Sequence, residues 1–216
     1  MQNQTSPLIL SFGVSDPVGA LGIQADLATC AAFGCHALTV TTALLVADTA
    51  RVEECEEIDP DWVCDQARVL LEDMRAAAIK IGALGGVEHI TAIAEIVSDY
   101  PDVPLILDPF ISALPEQGVA GEDMLMALRQ LLIPQASLLM LAPEELARLA
   151  ETWRESGADE AGADDAEEAA LDRIEADCAY LNALGCEYVL VTGTPNPGHE
   201  HGALRANTLY GADGVV

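Results

Sequence analysis

The stretch Ser15-Asp16-Pro17-Val18-Gly19-Ala20-Leu21-Gly22-Ile23-Gln24-Ala25-Asp26 directly follows an apolar run that begins at Leu8. Short apolar runs are typical of buried strands, and the residues after Gly22 take on helical character. The proline and glycines between them allow a tight turn and a close approach of the backbone to a ligand. Asp26 lies one helical turn beyond Gly22, on the face that looks back at this turn. Such a unit forms a small-molecule site in many α/β folds, although a purely structural turn has the same pattern.

Strand-like and helix-like segments alternate along the rest of the chain. The predicted strands are Leu8–Phe12, Ala37–Thr41, Ile79–Ile81, Leu105–Leu107, Ser137–Leu141 and Tyr188–Val191. The predicted helices are Leu21–Phe33, Trp62–Met74, Glu88–Ser98, Glu122–Leu132, Pro143–Thr152 and Ala166–Leu184. Apolar strands separated by helices predict an α/β fold with a mainly parallel sheet covered on both faces. A polar hairpin strand over Gly202–Tyr210 is expected to add an antiparallel edge.

Length and composition indicate that residues 1–216 form one folded domain with a sizeable core. Half of the residues are hydrophobic, which excludes disorder throughout the chain. Apolar runs long enough for a membrane span and a secretory signal are both lacking, so a cytoplasmic location is expected. The six cysteines form no CxxC pair and no zinc-site spacing, and we interpret them as reduced thiols.

The charge is strongly acidic, with a formal net charge of −27 and Lys80 as the single lysine. Nucleic acids and anionic membranes need clustered cations, so neither is expected as a partner. A site that handles phosphates must then obtain positive potential from Mg²⁺, helix N-termini and backbone amides. The densest acidic run, residues 153–177, is expected to be a flexible, solvated insertion before a helix.

Several motifs together resemble one known family. SDPVGALGIQAD at residues 15–26 is similar to the N-terminal signature of the hydroxymethylpyrimidine/phosphomethylpyrimidine kinases, which belong to the ribokinase-like superfamily. The resemblance continues through five further motifs in family order: TTAL at 41–44, IDPD at 58–61, KIG at 80–82, LDP at 107–109 and GCEYVLVTG at 185–193. It implies a three-layer α/β/α fold and ATP- and Mg²⁺-dependent phosphorylation of a pyrimidine in thiamine biosynthesis. It also implies a homodimer.

The resemblance implies a substrate pocket that includes Gly22 and Asp26. In the family, the matching aspartate accepts a hydrogen bond from the aminopyrimidine, a charge-assisted contact; an aspartate on a helix face also pairs with backbone amides. Two positions depart from the family pattern, because Ala47 stands where a glutamine is usual and Ala83 where a methionine is usual. These small residues enlarge the pocket, and Phe110 is the candidate to fill the space.

The nucleotide and its Mg²⁺ are implied to lie near Asp108, Glu145, Thr192 and Gly193. Each of these positions has a structural alternative. Asp108 also suits a turn before proline, and Glu145 suits the first turn of any helix. Thr192 and Gly193 suit either phosphate contact through a turn of amides or a simple strand end. The family usually has an asparagine where this chain has Ala142.

The catalytic residue of the family would follow the last motif, in a Gly-rich turn expected beyond Val216. We therefore expect the chain to lack the last helices of the fold and to be a C-terminally incomplete kinase. The alternative is a non-catalytic ribokinase-like protein that binds or senses a small molecule. A dinucleotide-binding oxidoreductase is excluded because the Gly-rich turn does not read G-x-G-x-x-G.

Overall fold

The structure is a computed structural model that describes residues 6–111, 121–154, 166–195 and 205–216. The strands of the described ranges are β1 (Leu8–Ser15), β2 (His36–Ala47), β3 (Val52–Glu57), β4 (Ala78–Ile81), β5 (Leu105–Leu107), β6 (Leu138–Leu141), β7 (Tyr188–Pro195), β8 (Arg205–Gly211) and β9 (Gly214–Val215). The helices are α1 (Gly22–Ala32), α2 (Pro60–Asp73), α3 (Val87–Ser98), α4 (Glu122–Ala127), α5 (Pro143–Ala150) and α6 (Ala166–Ala183).

All nine strands form one sheet in the order β3-β2-β1-β4-β5-β6-β7-β8-β9. The six strands from β2 to β7 in this order run parallel. At one edge β3 pairs antiparallel with β2, and at the other edge β8 and β9 continue antiparallel from β7. This confirms the predicted mainly parallel α/β sheet and its late antiparallel strand, of which residues 202–204 lie outside the described ranges.

The main hydrophobic core lies on one face of this sheet. Phe12, Ile81, Leu107, Leu139 and Val189 are neighbours in register across five parallel strands, and all are fully buried. Crossovers between parallel strands are right-handed. The connections that lead from β3 towards β7 all step in the same direction, so α2 to α6 cover this face.

The opposite face is covered over β1 and β2 by α1, because the β1–α1–β2 connection steps in the other direction. Polar residues lie on this face in the centre of the sheet, where Ser11 and Lys80 are register neighbours. Beyond them the row continues through Ile106 and Leu138, which are only half-buried. The face under α1 is therefore the one that combines polar strand residues with access to solvent.

Several elements differ from the predictions: β1 ends at Ser15 rather than Phe12, for example, and β7 ends at Pro195 rather than Val191. β2 ends at Ala47 rather than Thr41, and it turns back into β3, a strand that we did not predict. β3 reads VEECEE and lies at an exposed edge, so it carries no apolar alternation that would reveal it. The predicted helix Glu122–Leu132 is α-helical only to Ala127 and continues as a π-turn, Leu128–Leu132.

The acidic run predicted as an insertion lies partly outside the described ranges. Its first residues and its last part pack together: Trp153 stacks on Tyr180 of α6, and Arg154 forms an ion pair with Asp177. Asp177 is buried, which is rare for an aspartate unless it is paired, as Asp177 is with Arg154. Within the described ranges, helices are too short or too polar to cross a membrane.

Candidate functional site

The Gly-rich turn is organised by Asp16, a residue that the sequence analysis did not single out. Its carboxylate is 2% exposed and accepts hydrogen bonds from the amides of Val18 (2.9 Å), Ala20 (2.9 Å) and Leu21 (3.1 Å). An anion at the start of α1 also interacts favourably with the helix dipole. Asp16 therefore satisfies the free amides of the turn from within the chain. The signal was present in the sequence, since an aspartate that opens a turn commonly bonds amides ahead of it.

Gly22 is required where the turn meets the strand. Its φ of +68° lies in the left-handed region, and a Cβ atom there would lie 2.1 Å from the carbonyl oxygen of Val14. Only glycine fits this combination of conformation and close approach. The tight approach serves the packing of α1 against β1, and it places the first turn of the helix at the carboxyl end of that strand.

Asp26 projects from α1 onto the polar face of the sheet. Its Oδ2 accepts a hydrogen bond of 2.5 Å from the Ser11 hydroxyl, and the Lys80 Nζ lies 3.1 Å from each carboxylate oxygen. Asp26 and Lys80 are each 19% exposed, so the ion pair is shielded but reachable by solvent. The sequence predicts a substrate or a backbone amide as the partner of Asp26. Within the chain, the structure shows that the side chains of Ser11 and Lys80 donate to it.

Lys80 and Ser11 were missed as site residues. On a central strand, a lysine between two fully buried isoleucines points to the other face of the sheet, and its charge needs a partner on that face. That requirement was visible in the sequence, but the identity of the partner depends on the register of β1 and β4. The neighbouring Gly82 leaves space for the lysine, because a Cβ atom there would lie 2.9 Å from Nζ.

Asp108 lies beside this ion pair at the carboxyl end of β5. Its amide donates to the carbonyl of Ile81, 2.8 Å away, which fixes the turn into Pro109. Burial raises the pKa of Asp108 above its usual range; Glu145 and Asp26 raise it further, and Lys80 opposes them. The carboxylates of Asp26 and Glu145 thus both act on Asp108, and a single lysine opposes them.

Glu145 lies in the first turn of α5 and is 6% exposed. Its Oε2 accepts a hydrogen bond of 2.9 Å from the amide of Ala142, so the side chain folds back over the start of the helix. This contact corresponds to the structural role that was the alternative for this residue. The electrostatic influence of Glu145 on Asp108 nevertheless places it at the same carboxyl-terminal edge of the sheet.

A cavity of about 170 Å³ brings most of the predicted pocket residues together. It is lined by Ala20, Leu21, Gly22, Ala25, Asp26, Lys80, Gly82, Ala83, Asp108 and Phe110. Phe110 holds a φ of +50°, which is rare for a bulky residue and typical of ligand sites that store local strain. Ala83 is buried, and its carbonyl accepts a hydrogen bond from the hydroxyl of Thr42.

Two larger cavities lie elsewhere. One of about 410 Å³ lies before β4 and β5, at the amino-terminal edge of the sheet, and one of about 310 Å³ lies between α6 and the turn before β9. Ligands of open α/β sheets bind outside the carboxyl ends of the strands. We therefore assign the site by the convergence of Asp26, Lys80 and Asp108 rather than by volume.

Four predicted site residues do not line this cavity: Ala47, Glu145, Thr192 and Gly193. Ala47 lies at the far end of β2, where it pairs with Val52 near the hairpin turn. Thr192 and Gly193 lie within β7, which continues to Pro195 in its pairing with β8, and Gly193 forms a bulge there with a φ of +72°. The Gly193 amide donates to Asn207 Oδ1 at 3.1 Å, so a side chain of this protein already takes that donor.

In the described part of the chain, His, Cys, Asp and Glu side chains form no group of three or more arranged to hold a metal ion. Mg²⁺ in phosphate-handling sites is held by one or two carboxylates together with phosphate oxygens and water. Asp108 and Glu145 fit that requirement, since they are two carboxylates at one edge of the sheet, after β5 and in the first turn of α5, and Glu145 helps to raise the pKa of Asp108.

Known proteins are similar to this chain in sequence and in fold. The sequence model of the family described as phosphomethylpyrimidine kinase matches residues 16–215. The hydroxymethylpyrimidine/phosphomethylpyrimidine kinase of Salmonella typhimurium is 31% identical over 206 residues, which are 95% of this chain and 71% of that protein. Other curated relatives are matched over less of their length, 49% of the Escherichia coli kinase for example.

Solved structures support the fold. The crystal structure of phosphomethylpyrimidine kinase from Clostridium difficile superposes with a TM-score of 0.76 at 24% identity, covering 98% of this chain and 83% of that one. An ADP complex of Bacillus subtilis pyridoxal kinase also gives a TM-score of 0.76 at 24% identity, covering 98% and 74%. The resemblance noted in the sequence is thus confirmed, and the chain belongs to the phosphomethylpyrimidine kinase family.

Proposed function

We propose that the protein phosphorylates hydroxymethylpyrimidine or its monophosphate in thiamine biosynthesis, with ATP as the phosphoryl donor and Mg²⁺ as the cofactor, and that residues 1–216 supply its substrate pocket. The observation that carries the proposal is the cavity in which Asp26, Lys80 and Asp108 converge at the carboxyl edge of a parallel sheet. The names of the relatives support the reaction class, and the ADP complex of the pyridoxal kinase supports a nucleotide. A non-catalytic binding protein is not favoured, because these relatives are kinases.

Asp26 is the residue that we propose to recognise the pyrimidine. Its carboxylate is held by Ser11 and Lys80, which both donate to Oδ2, so Oδ1 keeps acceptor capacity for an exocyclic amino group. Lys80 is a positioning residue in this scheme, since it acts on the substrate through Asp26. The rigid placement matters because a kinase works by aligning the substrate hydroxyl with the γ-phosphate.

Asp108 and Glu145 are the residues that we propose to hold Mg²⁺. Held by these two carboxylates, Mg²⁺ would supply positive charge to offset the negative charge that develops during phosphoryl transfer. The raised pKa of Asp108 supports this role, because a carboxylate that is costly to ionise in its present surroundings gains when a cation is bound beside it. We further propose that Thr192 contacts the nucleotide from β7, where it follows the last residue paired with β6 and its hydroxyl donates to the carbonyl of Leu141 at 3.4 Å.

The decisive experiment measures ADP release with hydroxymethylpyrimidine or its monophosphate in the presence of ATP and Mg²⁺. Asp26→Asn is expected to weaken pyrimidine binding about tenfold or more, the worth of a hydrogen bond to a charged group. The matched control is Asp65→Asn, which removes the same charge from an exposed position on α2. ADP release that depends on neither pyrimidine would refute the proposed reaction, and unchanged affinity in Asp26→Asn would remove that residue from the site.

The enlarged pocket provides a second test. Ala83 lines the cavity whereas Ala47 does not, so the two departures from the family pattern are expected to differ in effect. Ala83→Met fills space beside the bound ring and is expected to change the affinity for hydroxymethylpyrimidine. Ala47→Gln is expected to leave it within about twofold, below the worth of one hydrogen bond. A larger effect from Ala47→Gln would mean that the β2–β3 hairpin reaches the ligand.

A further inference from the structure

We propose that this pocket, before Mg²⁺ binds, discriminates by charge and binds the uncharged hydroxymethylpyrimidine in preference to its phosphomonoester. The inference rests on the proposed function, since it chooses between the two candidate substrates of the same site. Three properties of the cavity support this inference. Its lysine is already paired with Asp26, three amides of its turn already donate to Asp16, and its carboxylates outnumber its cations.

The cation of the cavity is already paired. Lys80 is the one Lys or Arg among the residues that line the cavity, and both carboxylate oxygens of Asp26 lie 3.1 Å from its Nζ. The segments that the structure leaves undescribed contain neither lysine nor arginine. A phosphate that entered the cavity would have to compete with Asp26 for this charge.

The backbone donors of the Gly-rich turn are also taken. A turn that opens a helix is ordinarily an anion site, because its amides point to one place and the helix dipole adds to them. Here the amides of Val18, Ala20 and Leu21 all donate to the buried carboxylate of Asp16. The chain therefore supplies its own anion to these three donors.

The remaining charges of the site are negative. Asp26 and Asp108 line the cavity, and Glu145 lies close enough to act on Asp108 electrostatically. A phosphomonoester carries about −1.5 to −2 charges at neutral pH. At separations of about 6 Å and an effective dielectric constant near 20 to 40, such repulsion lowers affinity about tenfold or more. The amino group of the uncharged pyrimidine, by contrast, meets carboxylate acceptors.

Calorimetric titration of the full chain with each compound tests this inference. The titrations are run in EDTA and low salt at about pH 8, where histidine is neutral, so that only the charges of the protein and ligand contribute. We expect the hydroxymethyl compound to bind at least about tenfold more tightly than the monophosphate. Raising NaCl to about 0.5 M is expected to narrow this ratio by screening the repulsion.

Asp108→Asn removes one of the repelling charges and is expected to lower the ratio of the two dissociation constants several-fold. Asp65→Asn is the matched control and is expected to leave the ratio as in the wild type. Equal or tighter binding of the monophosphate, or a ratio that does not respond to salt, overturns the charge inference while the proposed function stands. If neither compound binds, the proposed function fails and the inference fails with it. The salt series uses the wild-type chain, so it decides the matter even if a variant does not fold.

Discussion

The Lys80–Asp26 ion pair should be strongly coupled in the stability of the fold, and a double-mutant cycle with Lys80→Met and Asp26→Asn measures this. At 3.1 Å and an effective dielectric constant of about 20, the gross Coulomb attraction is about 5 kcal/mol. Desolvation offsets much of it, yet removing one partner of a buried pair costs about 3–5 kcal/mol. With both side chains 19% exposed, we expect Lys80→Met to cost about 2–3 kcal/mol.

The double variant is then expected to be about 2 kcal/mol more stable than the sum of the single losses predicts, because it removes both charges and leaves neither of them unpaired. Urea denaturation followed by circular dichroism gives the four free energies of unfolding. The matched control is the pair Arg51–Glu53, which is 2.7 Å long but 72% and 50% exposed, and it should couple by less than about 0.5 kcal/mol. A Lys80–Asp26 coupling no larger than that of the control would refute the assignment of Lys80 as the residue that holds Asp26.

Three further outcomes are expected. Gly22→Ala should prevent stable folding or cost several kcal/mol in denaturation experiments, whereas Gly34→Ala, at a similar φ of +73° but in open space, should cost only about 1–2 kcal/mol. Cys178 and Cys186 should resist a thiol reagent at about pH 8 until the chain unfolds, since burial raises their pKa to about 12 and about 11; rapid labelling of either would contradict their buried placement. Asp108→Asn should stabilise the fold at neutral pH. The raised pKa of Asp108 means that the native state binds the proton more tightly than the unfolded state does, so the wild type loses stability as pH rises. The stability advantage of the variant should therefore vanish below about pH 4, where Asp108 is protonated in both states. A gain that is equal at all pH values would exclude titration of this carboxyl as the cause.

The sequence by itself determined the architecture, and it predicted the edge of the sheet at which the candidate site lies. Apolar runs of strand length separated by amphipathic helices dictate a parallel sheet, and its carboxyl edge dictates where a ligand binds. The turn from Ser15 to Asp26 could be identified as a close approach with one inward carboxylate, and the structure confirms that Gly22 admits no side chain there. These features are local, so a periodic pattern or a single turn is enough to reveal them.

What only the tertiary structure decided is which side chains meet. Lys80 becomes the partner of Asp26 because β4 pairs with β1 in a register that sets it beside Ser11, and register is a property of two strands at once. β3 escaped prediction for a related reason, since an exposed edge strand of glutamates is held by its ladder with β2 rather than by burial. The role of Asp16 likewise depends on how the turn folds around it, and that geometry exists only once α1 has packed against the end of β1.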